Sequence, residues 1–381
     1  MKFAAVADSI VDASRVASAF ARSGHDTTLL LHEFDSAVEN TGALVLDANL
    51  RGLSKLDSRT RLQRLGRNLR ASQIAFFRFD SSLRRPWDDL FATLEASGRS
   101  KVILAAFSPL EGFEVRHGTV FWHGSPLHRT ILARDRHNPV YEANLPEILE
   151  REGLGAVALV RDITAPNLAA ALEKARFIVV DGGNRGDAER LVGSVPNSEQ
   201  VLWAGSANLA RAIGAAQPVL EPDELEMADT GAPTLMVLGK HNHEQIKTLR
   251  SAGIPVLALE PNENSLAQTL HHASQFLKKD GCALYLEPFG FSPSLAPHQA
   301  LEMLSETIFQ LSQQRSFENL LLCGSRVAES VLRRLHAKGI HNDPFTDSTQ
   351  LLAPNPHRIA VRGSSDAPQT LLGAYQLLAG L

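Results

Sequence analysis

Between Ile74 and Arg85 the chain reads Ile-Ala-Phe-Phe-Arg-Phe-Asp-Ser-Ser-Leu-Arg-Arg, an apolar run that gives way abruptly to charges and hydroxyls. The first half has the pattern of a buried strand, and Arg78 and Asp80, two residues apart, point to one face at its end. Together with Ser81, Ser82 and Arg84 they supply guanidinium forks that match a carboxylate or phosphate, and a carboxylate that can accept a proton or bind Mg²⁺. A surface turn whose charges neutralise one another would use the same residues. Other predicted strands end similarly: Lys2–Ala7 in Asp8 and Ser9, Ala43–Leu46 in Asp47 with Arg51 four residues on, and Lys101–Phe107 in Ser108. Each aspartate alone could be a helix cap or turn residue. Their recurrence on separate strands points to a site for a small polyhydroxylated acid, with Arg51, Arg78 and Arg84 on its anionic group and Asp8 or Asp80 on a hydroxyl.

The elements that would position them alternate. Strands are expected at Lys2–Ala7, Asp26–Leu31, Ala43–Leu46, Ile74–Arg78, Lys101–Phe107, Ala156–Val160, Phe177–Val180 and Gln200–Trp203. Helices are expected up to Arg22, over Lys55–Leu69, Trp87–Ala96, Leu145–Glu152 and Asp187–Val192, and after Ser206. A hairpin or lid fills residues 112–138. This is the order of a parallel sheet wrapped by helices, in which ligands bind beyond the carboxyl ends of the strands. Residues 217–233, with Pro218, Pro222 and Pro233, read as a linker. A second α/β pattern follows, with strands at Thr234–Leu238, Pro255–Leu259, Ala283–Leu286, Asn319–Leu322 and Arg358–Val361, and helices including Leu301–Leu311 and Ala328–Lys338. The fold class is therefore α/β: two α/β domains with largely parallel sheets facing a shared cleft, residues 1–216 and 234–381.

Length, 44% hydrophobic content and 21% charged content suit two soluble domains. The net charge of -4, with no basic block, argues against a nucleic-acid surface. The only cysteines, Cys282 and Cys323, lie in apolar runs and suit a reducing compartment. No run approaches the ~20 apolar residues that span a bilayer, so a cytoplasmic location is expected.

Among the other constellations, His241, His243, His271 and His272 lack the spacing and carboxylate partner of a zinc site. Cys323-Gly324-Ser325-Arg326-Val327 lacks the second glycine of a nucleophile elbow. The loop Asp181-Gly182-Gly183-Asn184-Arg185-Gly186 could cradle a phosphate but reads better as a tight turn, and the dinucleotide glycine pattern of a nicotinamide dehydrogenase is missing.

Taken in order, several segments resemble the four-carbon acid sugar kinases. Ala7-Asp8-Ser9-Ile10-Val11-Asp12-Ala13 is similar to that family's Ala-Asp-Asp-Leu-Thr-Gly-Ala, and Arg78-Phe79-Asp80-Ser81-Ser82-Leu83-Arg84-Arg85 to its Lys-Ile-Asp-Ser-Thr-Leu-Arg-Gly. Asp47 to Arg51, Ala106-Phe107-Ser108-Pro109, the Gly118–Gly124 hairpin, Arg134 to Pro139 and Gly205 to Ala210 follow the family order. Ser9 stands where the second aspartate is usual, and Asp12 where the glycine is. The carboxyl-terminal half departs further. Gly239 and Gln245 resemble a nucleotide-binding element, but Gly-Gly-Glu/Asp-Thr has become Cys323-Gly324-Ser325-Arg326, and the last glycine loop is Arg362-Gly363-Ser364-Ser365-Asp366.

The resemblance implies an ATP- and Mg²⁺-dependent kinase acting on threonate, erythronate or 3-oxo-tetronate. Asp8 and Asp80 would be catalytic, and Ser9, Asp12, Asp47, Arg51, Arg78, Ser81, Ser82 and Arg84 would bind substrate. Gly239, Gly324, Ser325, Arg362, Gly363 and Ser364 would lie near the nucleotide, and a homodimer is allowed for. The alternative is a catalytically silent relative that binds a sugar acid or phosphate as a sensor or regulator, since three nucleotide motifs are altered together.

Overall fold

The computed structural model describes residues 1–31, 42–84, 87–135, 138–195, 198–218, 232–239, 243–259, 263–286, 297–337, 339–342, 349–351, 358–363 and 366–379. The chain divides into two compact units, Met1–Pro222 and Asp223–Leu381. Most of the expected linker, and with it the exact boundary, falls outside the described residues.

The first unit is built on β1 (Phe3–Ala7), β2 (Thr27–Leu31), β3 (Ala43–Asp47), β4 (Ile74–Arg78) and β5 (Lys101–Ala105). A hairpin sheet of β6 (Phe113–Arg116), β7 (Thr119–Trp122) and β8 (Ser125–Pro126) follows, then β9 (Val157–Val160), β10 (Phe177–Val180) and β11 (Val201–Gly205). The main sheet runs β2-β3-β1-β4-β11-β5-β10-β9, every pair parallel. β1 to β4 are buried along their whole length, which is why they read as continuous apolar runs rather than alternating ones.

Helices α1 (Ile10–Arg22), α2 (Lys55–Ala71), α3 (Trp87–Ser97), α4 (Leu145–Arg151), α5 (Ala165–Lys174), α6 (Asp187–Ser194) and α7 (Ala207–Ala215) connect the strands. α5 is absent from the sequence reading. Its Ala-Pro-Asn opening looks like a loop, although proline is at home in a first helical turn.

The second unit holds β12 (Thr234–Leu238), α8 (His243–Ser251), β13 (Val256–Leu259), α9 (Glu263–Leu277), β14 (Gly281–Leu286), α10 (Pro297–Gln313), β15 (Asn319–Cys323) and α11 (Ser325–Arg334). Then come β16 (Gly339–Asn342), β17 (Thr349–Leu351), β18 (Arg358–Arg362) and α12 (Pro368–Ala379). Its parallel strands run β13-β14-β12-β15-β18, and β17 and β16 continue from β18 in antiparallel fashion. These two short polar strands also escape the sequence reading, having no apolar run to mark them. α11 starts three residues earlier than expected and ends at Arg334, before Lys338. Met236, Leu321, Ala360 and Tyr375 belong to the core of this unit. No helix among the described residues is long and apolar enough to cross a membrane.

In the first unit α2 packs closely on α3. A Cβ at Gly66 would lie 2.6 Å from the Ala96 carbonyl oxygen and 2.9 Å from Arg70 Nη1, which itself donates to that carbonyl at 2.6 Å. Replacing a helical glycine by alanine ordinarily gains about 1 kcal/mol. Here the backbone clash outweighs that gain, so Gly66→Ala is expected to lower the unfolding midpoint in a thermal melt rather than raise it.

Candidate functional site

The order β3-β1-β4 makes neighbours of the strands that end in Asp47, Asp8 and Asp80, with Ala7 in register with Asp47 and Val6 with Phe77. The three aspartates therefore share one edge of the sheet, as their recurrence suggested. Ser9 then turns the chain into α1, its extended backbone and side chain capping the helix.

The centre of the edge is Asp12, one turn into α1 and buried. Its Oδ2 accepts from Arg51 Nη2 at 2.7 Å and from Ser9 Oγ at 2.9 Å, and its Oδ1 lies 3.1 Å from Arg78 Nη2. Arg15, next on the helix face, comes within 4.0 Å. Arg51 also donates Nε to Asp8 Oδ2 at 2.9 Å. Asp8, Arg51, Asp12 and Arg78 thus form one continuous chain of opposite charges across two strand ends and a helix.

Asp80 organises its own loop. Its Oδ1 accepts from the Ser82 amide at 3.0 Å and from Ser82 Oγ at 2.7 Å, while Arg84 Nε reaches Oδ2 at 3.2 Å and Ser82 Oγ at 2.6 Å. Leu83 takes a left-handed φ of 57° to close the turn, whose Leu83 amide donates to the Asp80 carbonyl. Arg84 Nη1 stands 4.0 Å from Asp135 Oδ2. Ser81 Oγ and Arg78 Nε are buried without a partner. Asp47 is almost fully buried and accepts from the Asn49 amide at 3.1 Å, which makes it a turn residue at the edge of the cluster.

Electrostatics separates the two neighbouring carboxyls. Burial, then repulsion from Asp12, pushes Asp8 up to about 7 against the pull of Arg51. Burial would raise Asp12 as well, but Arg78, Arg51 and Arg15 together hold it well below the usual carboxylate range. Two carboxyls four residues apart are thereby given different tasks: Asp12 is a fixed anion, and Asp8 can gain or lose a proton near neutrality. Asp8 also keeps 22% of its side chain exposed, against 9% for Asp12, so of the two it is the one a ligand can reach.

Arg15 and Glu111 belong to this network without having been singled out in the sequence. Arg15 lies 3.3 Å from Glu111 Oε1, and Glu111 Oε2 accepts from Ser108 Oγ at 2.7 Å. Arg15 could have been found from its three-residue spacing to Asp12. Glu111 sits after a proline turn with no periodic signal. The glycine loop behaves as the tight turn expected: Asp187 Oδ2 accepts from the Gly183 and Asn184 amides, each at 2.8 Å.

In the second unit the order β12-β15-β18 brings Gly239, Gly324 and Gly363 to neighbouring strand ends. Their amides are already used. Gly239 donates to the Cys323 carbonyl at 3.0 Å, Gly324 to the Arg362 carbonyl at 2.8 Å, and Gly363 to Asp366 Oδ2 at 3.1 Å. Gly324, with φ 109°, delivers the chain into α11 without a side-chain cap, so the first amides of that helix, beginning at Ser325, face the strand ends uncapped. Arg362 is partly buried beside them. Ser364, like His241 and Arg85, lies outside the described residues. Among the described residues no group of three or more His, Cys, Asp or Glu side chains is arranged to hold a metal ion.

A family model for a sugar-binding N-terminal domain matches residues 3–213, over half of the chain and most of the first unit. The D-threonate kinase of Bordetella bronchiseptica is 26% identical over 363 residues, covering 88% of this chain and 85% of that protein. A Salmonella typhimurium LT2 structure, provisionally described as a tRNA synthase, superposes with a TM-score of 0.80 at 15% identity over 99% of this chain and 98% of its own. A Haemophilus influenzae structure gives 0.77 at 17% over 99% and 100%. A Bordetella bronchiseptica structure, a domain-swapped dimer with bound citrate, gives 0.51 at 21% over 100% and 99%. The chain therefore belongs to the family that carries this sugar-binding domain, the four-carbon acid sugar kinases.

Asp12→Ala would leave Arg78, only 7% exposed, without its counter-ion. Breaking a buried pair in this way costs about 3–5 kcal/mol, which a chemical-denaturation curve at neutral pH would show. Asp8→Asn should act in the opposite direction. Folded Asp8 holds its proton to about 7, whereas the unfolded chain releases it near 3.9, so wild-type stability falls as pH rises between those values. The variant lacks that loss: its unfolding midpoint should exceed that of the wild type at about pH 8 and converge with it near pH 4.

Proposed function

We propose that the protein is an ATP-dependent kinase that phosphorylates a hydroxyl of a small four-carbon sugar acid such as threonate, erythronate or 3-oxo-tetronate. The observation that carries this reading is Asp8: a partly accessible carboxyl at a parallel-sheet edge, titrating near neutrality beside a permanently charged neighbour. A base poised near the working pH is what deprotonation of an alcohol needs. The similarity to a D-threonate kinase supports the choice of substrate.

In this reading Asp8 accepts the proton of the acceptor hydroxyl, and Arg51, bonded to it, holds the carboxylate side-on so that one oxygen faces the ligand. Asp80 fixes Ser82 and Arg84, leaving the terminal nitrogens of Arg84 to take the substrate carboxylate. Ser81 Oγ is buried and unpaired, a hydroxyl suited to a ligand oxygen.

ATP with Mg²⁺ would supply the phosphoryl group and shield its charge. The residues partly fit. The uncapped start of α11 at Ser325, with Arg326 and Arg362, suits phosphate oxygens. Magnesium commonly needs only one or two protein carboxylates, with phosphates and water filling the rest of its shell. The three glycine amides, however, are spent on internal bonds, which favours the second reading: a silent relative that binds a sugar acid or phosphate as a sensor or regulatory protein. A homodimer is proposed by analogy with the dimeric relative.

Thermal unfolding with Mg²⁺-ATP separates the two. Nucleotide at about 100 times its dissociation constant stabilises a fold by ~2.7 kcal/mol, so the kinase reading expects a clear rise in midpoint. Absence of any rise, with threonate alone still stabilising, would establish the silent binder. For an active kinase, kcat/KM should climb with pH to about 7 and then level as Asp8 ionises. Arg84→Ala should raise KM for the acid at least tenfold, and unchanged kinetics would remove Arg84 as the anchor.

A further inference from the structure

Arg51 is the cation that Asp8 and Asp12 share, and it stands in a loop rather than on a strand or helix. A long side chain is only as well placed as the backbone beneath it, so the turn from Ala48 to Gly52 has to be fixed. Its amides are accounted for: the Ala48 amide donates to the Ala7 carbonyl and the Leu50 amide to the Asp8 carbonyl, each at 2.9 Å, and the Asn49 amide to Asp47 Oδ1. Asn49 has a φ of 43° and Gly52 one of 87°. A non-glycine residue stays in that region only where its surroundings hold it there. The left-handed turn at Asn49 lets two successive carbonyls, those of Ala48 and Asn49, face one donor.

That donor is Arg61, in the second turn of α2. Its Nη1 lies 3.0 Å from the Ala48 carbonyl oxygen and 3.0 Å from that of Asn49. The nitrogen carries two N–H groups, one for each oxygen. Other arginines of α2 are used differently: Arg59 pairs with Glu95, Arg70 donates to the Ala96 carbonyl, and Arg64 and Arg67 are exposed. Arg61 is half-buried and, among the described residues, has no carboxylate partner. Its charge falls instead on the two carbonyls, and charged donors make the stronger hydrogen bonds.

We infer that Arg61 is a positioning residue: by bridging the Ala48 and Asn49 carbonyls it holds the turn that delivers the Arg51 guanidinium to Asp8 and Asp12. This rests on reading the Asp8 edge as the site of reaction, where Arg51 orients the Asp8 carboxylate, and it adds a residue that no motif marks. Without Arg61 the left-handed turn would lose its restraint, and Arg51, half exposed, would be free to leave the two carboxylates.

The Nε–H group of Arg51, which donates to Asp8, reports the effect directly. Its signal in a ¹H–¹⁵N spectrum is identified by its loss in Arg51→Lys. With neither substrate nor nucleotide present, that hydrogen is expected to exchange with solvent about tenfold faster in Arg61→Ala than in wild type. Arg64→Ala removes the same charge from an exposed position on the same helix and should leave the rate unchanged. Unaltered exchange in Arg61→Ala, or equal acceleration by Arg64→Ala, would overturn the inference. If Arg61→Ala does not fold, Arg61→Gln, uncharged and shorter, is read in its place against the same expectation.

Turnover gives a separate readout. With threonate and Mg²⁺-ATP, Arg61→Ala should lower kcat about fivefold and leave KM little changed, because the proton acceptor rather than the anchor of the acid is misplaced. In an Arg51→Ala background the same substitution should have no further effect, since a residue that acts through another adds nothing once that other is gone. A further loss of equal size there would overturn the inference. Faster exchange in Arg61→Ala, with no acid phosphorylated by wild type, would uphold the positioning and overturn the kinase reading instead.

Discussion

The first unit depends on how one buried carboxylate is neutralised. Asp12 lies where α1 begins, and desolvation there would be prohibitive for an unpaired charge. Arg78 comes from the end of β4, Arg51 from the loop after β3, and Arg15 from the next turn of the helix. A single anion therefore ties β4, the chain that follows β3 and α1 to one another at the edge where ligands bind in parallel sheets. The same anion adds to the chemistry of its neighbour: burial raises the Asp8 carboxyl first, the charge on Asp12 raises it further, and its proton is retained to near neutrality.

A second regularity follows from the same economy of buried polar groups. Backbone amides at turns must find acceptors, and this chain repeatedly supplies its own aspartates: Asp181 for His117 and Gly118, Asp187 for Gly183 and Asn184, Asp366 for Gly363. Each of these would otherwise be an amide concavity open to an anion. A sequence motif rich in glycine is therefore a poor guide here, because the loop can close on an internal acid three or four residues away. The start of α11 differs, having neither a capping side chain nor an acid in its first turn. It is the feature of the second unit that keeps a phosphate reading physically reasonable despite the altered motifs.

How much of this could be read from sequence follows from the range of the interactions. Strands β1 to β5, β12, β14 and β15 were readable because parallel strands buried on both faces leave uninterrupted apolar runs. Helix α5 and strands β16 and β17 were not, because their sequences carry turn-like or polar residues whose structure is decided by neighbours far along the chain. At the site, Asp8, Asp80, Arg78 and Arg84 stood out by type and position, and the strand order confirmed that their elements adjoin. Their pairing could not be read. That Arg78 is the buried partner of Asp12, and that Asp47 accepts from the Asn49 amide of its own turn, is set by contacts no local pattern marks.

Asp12 itself shows where the limit lies. Its spacing from Ser9 is that of a helix-capping pair, and a residue in that role usually needs no further explanation. What distinguishes it is that two arginines, 39 and 66 residues away in sequence, converge on it. One arginine would make a structural ion pair. Two, joined through one carboxylate and extended to Asp8, tie the loop after β3 and the end of β4 to the first turn of α1 through a single buried anion. Beside that anion two buried groups, Ser81 Oγ and Arg78 Nε, stand without a hydrogen-bond partner, a cost that the surrounding ion pairs must offset.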